Sequence, residues 1–408
     1  MKTLKSTGLV RRFGCGVVRE TKTVLAVLAM LASVLAWGSA PVRAQDNDGD
    51  LGSHRVRVLA QNMYIGASLH DLITATTVKQ IKDAITALSS AILATKPRER
   101  AAAMAAEIAK QRPDFVALSE AWKLTVDGVV KMDLLDFVID ELKALGQPYE
   151  LARATVGGVV KDGFVNQEDL NAAPLGLDIQ LTDRNAILMR TDVDIATIGV
   201  EPRQFTAAIT LTLSTGLPPP QPQQIKINIF GGYVSVDPMV RGLPLRFLSV
   251  HLIPSADTIA LHTAELLKNE VFNTTNTLVF GGDYNTTADD PKNLSFPIYQ
   301  LLIGAKLTDA WKLLHPNQLG FTCCQNDNLR NTRSNLDLPP CPPGSTVPPP
   351  GSTATTCPHR IDLILFRGFA GVDNMKVFGD LPSDRTPSGL WPSDHAGVVA
   401  TLRGPKSQ

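Results

Sequence analysis

Short apolar runs that each end in polar side chains recur along this chain, and they limit the folds that it can adopt. Runs of this length, bounded by turn residues, are typical of buried β-strands. Strand-like runs outnumber helical ones and both types occur throughout, so the pattern predicts a layered α+β domain rather than a helix bundle. The four clearest runs precede Asn62, Glu120, His251 and Asp283, at residues 56–60, 115–118, 248–250 and 278–280.

Weaker patterns fill the rest of the chain. Residues 68–111 are rich in alanine with helical periodicity, and an amphipathic helix is expected at residues 134–145. Proline-rich residues 216–222 and 338–358 are expected to form exposed loops. Further strands are expected at residues 186–189, 207–213, 225–230, 245–250, 277–280 and 361–366.

The N-terminal 44 residues have the composition of a secretory signal peptide. A basic leader precedes an apolar run at residues 24–37, and Val42-Arg43-Ala44 follows as a cleavage site with small residues. The apolar run is short for a membrane span, although an uncleaved anchor helix is the alternative. We expect residues 45–408 to form a secreted or periplasmic domain without a transmembrane segment; Arg11-Arg12 leaves Sec and twin-arginine export both open.

Removal of the leader changes the charge balance. The chain has 39 basic and 39 acidic residues, and residues 1–44 contain seven basic and one acidic, which leaves a net charge of about −6 before histidine. Proteins that bind polyanions tightly and nonspecifically are usually basic, so no stable nucleic-acid complex is expected. An enzyme that gathers carboxylates around a cation stays compatible with this charge.

Four cysteines lie close together after residue 320. In an exported protein, an even and clustered set of cysteines indicates disulfides. A zinc site is the alternative, but two adjacent cysteines match the usual ligand spacing poorly. The cysteines are Cys323, Cys324, Cys341 and Cys357.

The polar residues that follow the apolar runs are of types that bind phosphate and hard cations. A carboxylate such as Glu120 suits Mg²⁺, and a histidine such as His251 can donate a proton. Asp283 and Asn285 lie two residues apart, so an extended chain directs both to one side. A solvated glutamate, a core histidine and an Asx-rich turn are the corresponding structural alternatives.

Two further acidic residues, Asp362 and Asp394, fit the same interpretation. Asp362 lies inside an apolar strand-like run, where a carboxylate needs a partner, and His395 can supply it. Ser393-Asp394-His395 invites a serine-hydrolase interpretation. Triad members meet through the fold, however, and the sequence has no G-x-S-x-G motif around Ser393.

Taken in chain order, these motifs resemble the endonuclease/exonuclease/phosphatase superfamily, which includes DNase I, abasic-site endonucleases, bacterial sphingomyelinases and inositol-polyphosphate phosphatases. The resemblance implies a DNase I-like four-layer α/β/β/α sandwich of two packed mixed β-sheets. Compared with compact members, the helical stretch at about 68–111 and the Cys/Pro-rich loop at about 323–358 are extra. The matching pieces are Gln61-Asn62, Ser119-Glu120, Val250-His251, Gly282-Asp283-Tyr284-Asn285, Arg360-Ile361-Asp362 and Ser393-Asp394-His395. The segment Asp183-Arg184-Asn185-Ala186-Ile187-Leu188 also resembles the start of a strand in this family.

The same resemblance implies metal-dependent hydrolysis of a phosphate ester, usually with Mg²⁺, while Mn²⁺ and Ca²⁺ are alternatives. At the metal ion, the resemblance implies Glu120 as the main ligand, with Asn62 assisting and Asp394 nearby. In catalysis, the resemblance implies that Asp283 orients or deprotonates the attacking water and that His251 and Asn285 contact the phosphate. It also implies that His395, held by Asp362, binds or protonates the phosphoryl group. Whether Asp283 or His395 is the base is left open.

The substrate is expected to be a phosphodiester, either in nucleic acid or in a phospholipid head group as for a sphingomyelinase-type phospholipase C. Phosphomonoesterase activity and a catalytically inactive binding protein of the same fold are the alternatives. A lipid substrate would favour exposed apolar residues, for which Trp122, Leu217 and Leu390-Trp391 are candidates. We expect a monomer.

Overall fold

The structure is a computed structural model that describes residues 55–156, 159–171, 178–214, 224–345 and 357–405. The expected signal peptide at residues 1–44 and the proline-rich loop at residues 216–222 lie outside the described residues. Within the described part of the chain, no helix is both long enough and apolar enough to cross a membrane.

The described residues form 18 strands, several of them apolar along their whole length. In chain order they are β1 (Arg55–Asn62), β2 (Phe115–Ser119), β3 (Lys123–Val126), β4 (Val129–Asp133), β5 (Tyr149–Leu151), β6 (Arg153–Val156), β7 (Val159–Asp162), β8 (Phe164–Asn171), β9 (Ile179–Arg190), β10 (Ile195–Ser214), β11 (Gln224–Val240), β12 (Leu243–Pro244), β13 (Arg246–His251), β14 (Leu278–Asp283), β15 (Thr308–Asp309), β16 (Asp362–Arg367), β17 (Gly371–Phe378) and β18 (Gly397–Arg403).

Local sequence accounts for the helix starts in the alanine-rich stretch. Thr77 and Gln80 form a capping box at the start of one helix, and Pro97 occupies the first turn of the next. The described α-helices are α1 (His70–Ile73), α2 (Val78–Ala94), α3 (Pro97–Gln111), α4 (Leu134–Ala144), α5 (Ala256–Leu266), α6 (Phe296–Gly304) and α7 (Ala310–Leu314). A π-helical turn at Leu267–Val271 and 3₁₀ turns at Asn335–Asp337 and Pro382–Asp384 complete the helical elements.

The described strands form two large mixed sheets. The first has nine strands in the order β17-β18-β1-β2-β9-β3-β4, with β5 and β8 also paired to β9. The second has seven strands in the order β10-β11-β13-β14-β16-β15, with β12 paired to β11, and β6 and β7 form a separate hairpin. Each large sheet contains one parallel pair, β1 with β2 and β13 with β14, while its other pairs are antiparallel.

Three apolar cores separate the layers, because neighbouring residues of a strand face opposite sides of their sheet. Leu59 packs with residues of α2, α3 and α4, whereas the adjacent Val58 packs between the two sheets. Phe247 faces the same central core, and the adjacent Leu248 packs with residues of α5 and α6. The order helices, sheet, sheet, helices confirms the predicted four-layer α/β/β/α sandwich.

The two sheets approach closely near the ends of the parallel pairs. A Cβ atom placed on Gly281 of β14 would lie 3.2 Å from the Cβ atoms of Ala60 and Ala117 in the first sheet. Nearby, Ser249 Oγ of β13 donates a hydrogen bond of 3.1 Å to Leu118 O of β2. Small side chains and this hydrogen bond therefore bring the carboxyl ends of both parallel pairs to one place.

One strand is much longer than its apolar pattern indicates. The expected strand at residues 207–213 belongs to β10, which begins at Ile195 and pairs with β11 along most of its length. Pro202 lies inside β10, where a proline ordinarily argues against a strand. Because β10 is at the edge of its sheet, the missing N–H of Pro202 costs no central hydrogen bond.

The four late cysteines form two pairs. Cys341 and Cys357 lie at disulfide distance, with their Cα atoms 6.0 Å apart, and Cys323 is paired with the adjacent Cys324. The first pair closes the proline-rich loop, of which residues 346–356 lie outside the described part of the chain. The four thiols are therefore divided between two places rather than gathered at one tetrathiolate site.

Candidate active site

The fold brings the eight predicted site residues to one end of the two sheets. Asn62 and Ser119 lie side by side at the carboxyl ends of β1 and β2, and Glu120 follows directly. His251 and Asp283 are paired at the carboxyl ends of β13 and β14. The remaining four are next to these positions: Asn285 after β14, Asp362 opposite Asp283 at the start of β16, and Asp394 and His395 before β18.

Asn62 joins two carboxylates at the centre of this end. Its Nδ2 atom donates to Glu120 Oε1 and to Asp283 Oδ2, each at 3.0 Å. Its Oδ1 atom accepts from Tyr64 N at 2.9 Å, which fixes the orientation of the amide. Asn62 therefore holds the two acidic side chains together across the gap between the sheets.

Glu120 is held in place by its neighbours and by an unusual backbone conformation. Its φ of 52° is in the left-handed region, which non-glycine residues seldom adopt outside constrained sites. Its Oε2 atom accepts from Ile65 N and from Trp122 Nε1, both at 3.2 Å. The Oε1 atom is thereby directed toward Asn62 and the other site carboxylates.

His395 is paired with Asp362, as the buried position of this carboxylate requires. His395 Nδ1 lies 2.8 Å from Asp362 Oδ2, and both residues are buried. Burial acts to lower the pKa of His395, but the surrounding carboxylates, Asp362 foremost, raise it well above its ordinary value. The other ring nitrogen, Nε2, lies 3.9 Å from Asp283 Oδ2 and 3.9 Å from Asp394 Oδ1.

Ser393 is placed to make structural hydrogen bonds and is not placed as a nucleophile. Its hydroxyl donates to Asn62 O at 2.8 Å and accepts from His395 N at 3.1 Å. These two hydrogen bonds tie the segment before β18 to the end of β1. The side chain is 2% exposed, so a substrate has little access to it.

His251 lies between Asn285 and a carboxylate that the sequence motifs left without a role. Asn285 Nδ2 is 3.2 Å from His251 Nε2 and also donates to Leu252 O at 2.8 Å. On the other side, His251 Nδ1 is 3.6 Å from Asp183 Oδ2, and neither atom has a hydrogen bond to another described residue. Asp183 is fully buried on β9, and only its place in the Asp183-Arg184-Asn185 motif could have drawn attention to it.

The environment of His251 favours its charged form. Burial acts to lower its pKa, but the carboxylates of Asp183, Asp283 and Glu120 raise the pKa to about 10. Burial raises the pKa of Asp183 to about 6, although the histidine acts in the opposite direction. The pair thus forms a second imidazole–carboxylate contact, on the opposite side of Asp283 from the pair of His395 and Asp362.

The acidic side chains are crowded enough to favour a cation among them. Burial, together with Glu120 and Asp283, raises the pKa of Asp394 to about 7, while His395 and Arg100 oppose this. Burial also raises the pKa of Asp283. Oxygen or nitrogen atoms of Glu120, His251 and Asp283 lie within 4.8 Å of one another. This oxygen-rich set fits a hard divalent cation, which would relieve the repulsion between the carboxylates.

A family model decides the family of this chain. The model of the endonuclease/exonuclease/phosphatase family matches residues 92–395. The chain belongs to the endonuclease/exonuclease/phosphatase family. This match extends over most of the sandwich and over seven of the eight predicted site residues, since Asn62 precedes it.

Solved structures of low sequence identity resemble this family member only distantly. A family protein from Leptotrichia buccalis has 14% identity and a TM-score of 0.48, with 85% of this chain and 99% of that chain covered. A family protein from Bacteroides vulgatus has 12% identity and a TM-score of 0.47, with 86% and 99% covered. D. rerio TDP2 complexed with single-strand DNA product has 13% identity and a TM-score of 0.45, with 86% and 99% covered. No curated protein matches the chain.

Beneath the carboxylates, this family member has a buried cation that sequence inspection missed. Arg100 of α3 is fully buried and donates to Met63 O, Tyr64 O and Pro392 O at 3.0 to 3.1 Å. Burial lowers its pKa to about 10, although Asp394 and Glu120 act to raise it. Its place in an alanine-rich helix is the sequence feature that could have indicated it.

The apolar residues suggested for lipid contact are not available at the surface of this family member. Trp122 is 2% exposed, and Leu390 and Trp391 are 0% exposed, which contradicts that suggestion. Trp122 positions Glu120, and Trp391 Nε1 donates to Asn331 O at 2.8 Å. Both indole N–H groups therefore donate to partners inside the protein, and Leu217 lies outside the described residues.

Proposed function

We propose that this chain is an exported, divalent-metal-dependent phosphodiester hydrolase in which water attacks phosphorus in line with the leaving group. One observation carries the proposal: donors and charges converge on the carboxylate of Asp283. Its Oδ2 atom lies 3.0 Å from Asn62 Nδ2, 3.7 Å from His251 Nε2 and 3.9 Å from His395 Nε2. A phosphoryl group at this place would meet a base and several donors at once.

The metal ion of the proposal is Mg²⁺, with Mn²⁺ or Ca²⁺ as substitutes. Glu120 is the main ligand, Asp394 lies on the same side, and Asn62 orients Glu120 toward the ion. When bound, the cation would polarise a phosphoryl oxygen and offset the charge that develops during attack. The crowded carboxylates support this assignment, because the raised pKa values of Asp394 and Asp283 mark a place that favours added positive charge.

The two histidines act as donors in this proposal, and Asp283 acts as the base. The raised pKa of His395 keeps it protonated near neutral pH, so its Nε2–H donates to a phosphoryl or leaving-group oxygen. Asp362 holds the other ring nitrogen and so sets the direction of the ring. His251 and Asn285 donate to the remaining phosphoryl oxygens. Asp283 is then the group available to accept the proton of the attacking water.

Export is part of the proposal and rests on the leader sequence and the paired cysteines. Disulfides persist in oxidising compartments, so the pairs Cys341–Cys357 and Cys323–Cys324 agree with a location outside the cytosol. N-terminal sequencing of protein recovered from the medium or periplasm tests it. A mature N-terminus near residue 45 is expected, and an intact N-terminus on membrane-bound protein would contradict export.

The hydrolase proposal is tested with the purified mature protein and four substrates. These are bis-p-nitrophenyl phosphate, p-nitrophenyl phosphate, plasmid DNA and sphingomyelin vesicles, each with Mg²⁺, Mn²⁺, Ca²⁺ or EDTA. We expect cleavage of at least one diester, loss of cleavage in EDTA, and a loss on the order of 10²- to 10⁴-fold in Glu120→Gln and His395→Ala.

Matched controls are available on the surface. Glu150→Gln and His70→Ala alter exposed residues of the same types on β5 and α1, away from the site, and should retain full cleavage. Cleavage of the monoester alone would identify a phosphomonoesterase. Absence of cleavage with every metal would favour the inactive binding protein and overturn the proposal.

A further inference from the structure

The adjacent pair Cys323-Cys324 lies beside the imidazole of His395, although neither cysteine has a role in the proposed hydrolysis. Cys323 forms isolated β-bridges with both His359 and His395. Cys323 N donates to His359 O at 2.9 Å, and Gln325 N donates to Asp394 O at 2.7 Å. The cysteine pair is therefore fixed between the start of β16 and the segment before β18.

The sulfur atoms and the imidazole together offer three metal-binding donors. A ligand atom from each of Cys323, Cys324 and His395 lies within 4.8 Å of the other two. His395 Nδ1 is already bonded to Asp362, so Nε2 is the ring nitrogen left to coordinate. Since Zn–S bonds are about 2.3 Å and Zn–N bonds about 2.0 Å, donors spaced in this way can reach one ion with small side-chain movements.

These donors differ chemically from those of the proposed Mg²⁺ site nearby. Thiolates and imidazoles select Zn²⁺ and other thiophilic ions, whereas the carboxylates around Glu120 suit Mg²⁺. Cys341 and Cys357 form their own pair, so they do not complete a tetrathiolate site with Cys323 and Cys324. A histidine takes the third position here instead.

We propose that the reduced Cys323-Cys324 pair and His395 form a binding site for a thiophilic divalent cation, Zn²⁺ or Cd²⁺. A dithiol reductant breaks the bond between the sulfurs by giving two electrons and two protons to the cysteines, and is itself oxidised to a disulfide. Cation binding then releases both thiol protons and the Nε2 proton of His395 to solvent, because only thiolates and a deprotonated ring nitrogen coordinate. Cys324 is half-buried, so a reductant can reach it.

Occupation of this site removes His395 from hydrolysis. The cation takes the lone pair of Nε2, which can then no longer carry the proton that it would donate to phosphate. The oxidised protein is therefore active, and the reduced protein is inhibited by traces of zinc or cadmium. This inhibition rests on the proposed function, whereas cation binding does not.

Cadmium titration tests the binding site directly. The Cys341→Ser/Cys357→Ser variant provides a background in which Cys323 and Cys324 are the only thiols of the mature chain. It is reduced with dithiothreitol, desalted without oxygen, and titrated with CdCl₂. Excess Mg²⁺ is present to occupy the proposed carboxylate site. The readouts are the ultraviolet thiolate-to-cadmium charge-transfer band and bound cadmium after dialysis.

We expect a charge-transfer band that saturates at one equivalent in the reduced background and is absent in the oxidised one. Adding Cys324→Ser should abolish the band without changing hydrolysis in the absence of cadmium. Cadmium should inhibit the reduced background far more than the oxidised protein or the Cys324→Ser variant.

The proposed cation site would be contradicted if the charge-transfer band were absent in the reduced Cys341→Ser/Cys357→Ser protein, or if it persisted after Cys324→Ser was added. If the background does not fold, the difference in bound cadmium between reduced wild-type protein and Cys324→Ala decides the same point. A band with undiminished hydrolysis would refute the inhibition alone. If the oxidised protein hydrolyses nothing, the proposed function fails, while the band still decides whether the cation site exists.

Discussion

Asp362 Oδ2 lies 2.8 Å from His395 Nδ1, across the junction of the two sheets. Asp362 is the first residue of β16 in the second sheet, and His395 precedes β18 of the first sheet. The carboxylate holds Nδ1, leaves Nε2 near Asp283 and Asp394, and raises the pKa of the imidazole. The sandwich therefore has to be assembled before the proposed proton donor is in place.

Replacement of Asp362 by asparagine should reduce hydrolysis by lowering kcat, by about 10²-fold or more. The amide can hold the ring only through one hydrogen bond and does not stabilise the charged imidazole, so the pKa of His395 should fall. On the alkaline side of the pH–rate profile, the variant should therefore lose activity at a lower pH than the wild type. Steady-state kinetics between pH 5 and pH 9 measure both effects.

The matched control for this change is Asp373→Asn on β17, where the carboxylate pairs with Arg55 and Arg403 at the surface. Surface ion pairs contribute little, so full activity and an unchanged pH profile are expected. An Asp362→Asn enzyme with wild-type kcat would show that His395 needs no carboxylate partner.

Replacement of Asp183 by asparagine should weaken catalysis through His251 without changing metal dependence. Asp183 Oδ2 faces His251 Nδ1 at 3.6 Å and is one of the carboxylates that raise its pKa to about 10. Without this charge the pKa of His251 falls, and its donation to a phosphoryl oxygen weakens. We expect lower kcat, and NMR titration of the histidine should show the lower pKa.

A parallel Asp162→Asn variant controls for the loss of a carboxylate, since Asp162 pairs with Arg153 on an exposed hairpin. Equal losses of kcat in both variants, or an unchanged His251 titration in Asp183→Asn, would show that Asp183 does not act through His251. Mg²⁺ titrations of activity should give the same midpoint for the wild type and for Asp183→Asn.

The sequence predicted those parts of the site that follow a strand along the chain. Asn62, Glu120, His251 and Asp283 each come directly after or at the end of an apolar run, and parallel strands deliver their carboxyl ends to one edge. The alternation of short apolar runs and helices predicted a layered α+β domain, whereas the four-layer sandwich was implied by the resemblance to the endonuclease/exonuclease/phosphatase superfamily.

The remaining parts depend on contacts that no local pattern records. Asp183 meets His251 only because β9 and β13, which belong to different sheets, pack together. Arg100 reaches the site from α3 through carbonyl groups, and such bonds require no particular partner sequence. Trp122 and Trp391 were candidates for exposed residues at a lipid-binding surface and are buried, because a sequence does not reveal which face of a loop is covered.

Gly282 should be intolerant of a side chain, because the backbone of the neighbouring strand occupies the space. Its φ is 147°, and a Cβ atom placed there would lie 1.9 Å from Val250 O. Gly282→Ala should therefore reduce the free energy of unfolding by about 3 kcal/mol, and it should displace Asp283. Urea unfolding followed by circular dichroism measures the loss.

Gly304→Ala is the matched control for this substitution. Gly304 is the last residue of α6, and a Cβ atom there has no neighbour within 4 Å. Its unfolding free energy should equal or slightly exceed that of the wild type, since alanine favours helix more than glycine does. A Gly282→Ala protein as stable as Gly304→Ala would mean that β13 and β14 can separate at no cost.

The buried His262 should make the protein less stable as the pH falls. Its ring stacks on Phe205 with centroids 4.3 Å apart, and Nε2 lies 3.0 Å from Ala207 O. Burial lowers its pKa, and the charge of His251 lowers it further, although Ala207 O and Glu265 oppose this. Because the unfolded chain titrates near pH 6.5, it binds more protons than the folded protein below that pH.

The free energy of unfolding should therefore decrease as the pH falls from about 6.5 toward the lowered pKa of His262. Glutamine keeps a donor for Ala207 O but does not titrate, so the stability difference between wild type and His262→Gln should shrink as the pH falls. Other titrating groups, Asp183 and Asp394 among them, contribute equally to both proteins and cancel in this difference. Urea unfolding at several pH values measures it, with His70→Gln as the exposed control. A difference independent of pH would mean that His262 titrates alike in the folded and unfolded chains.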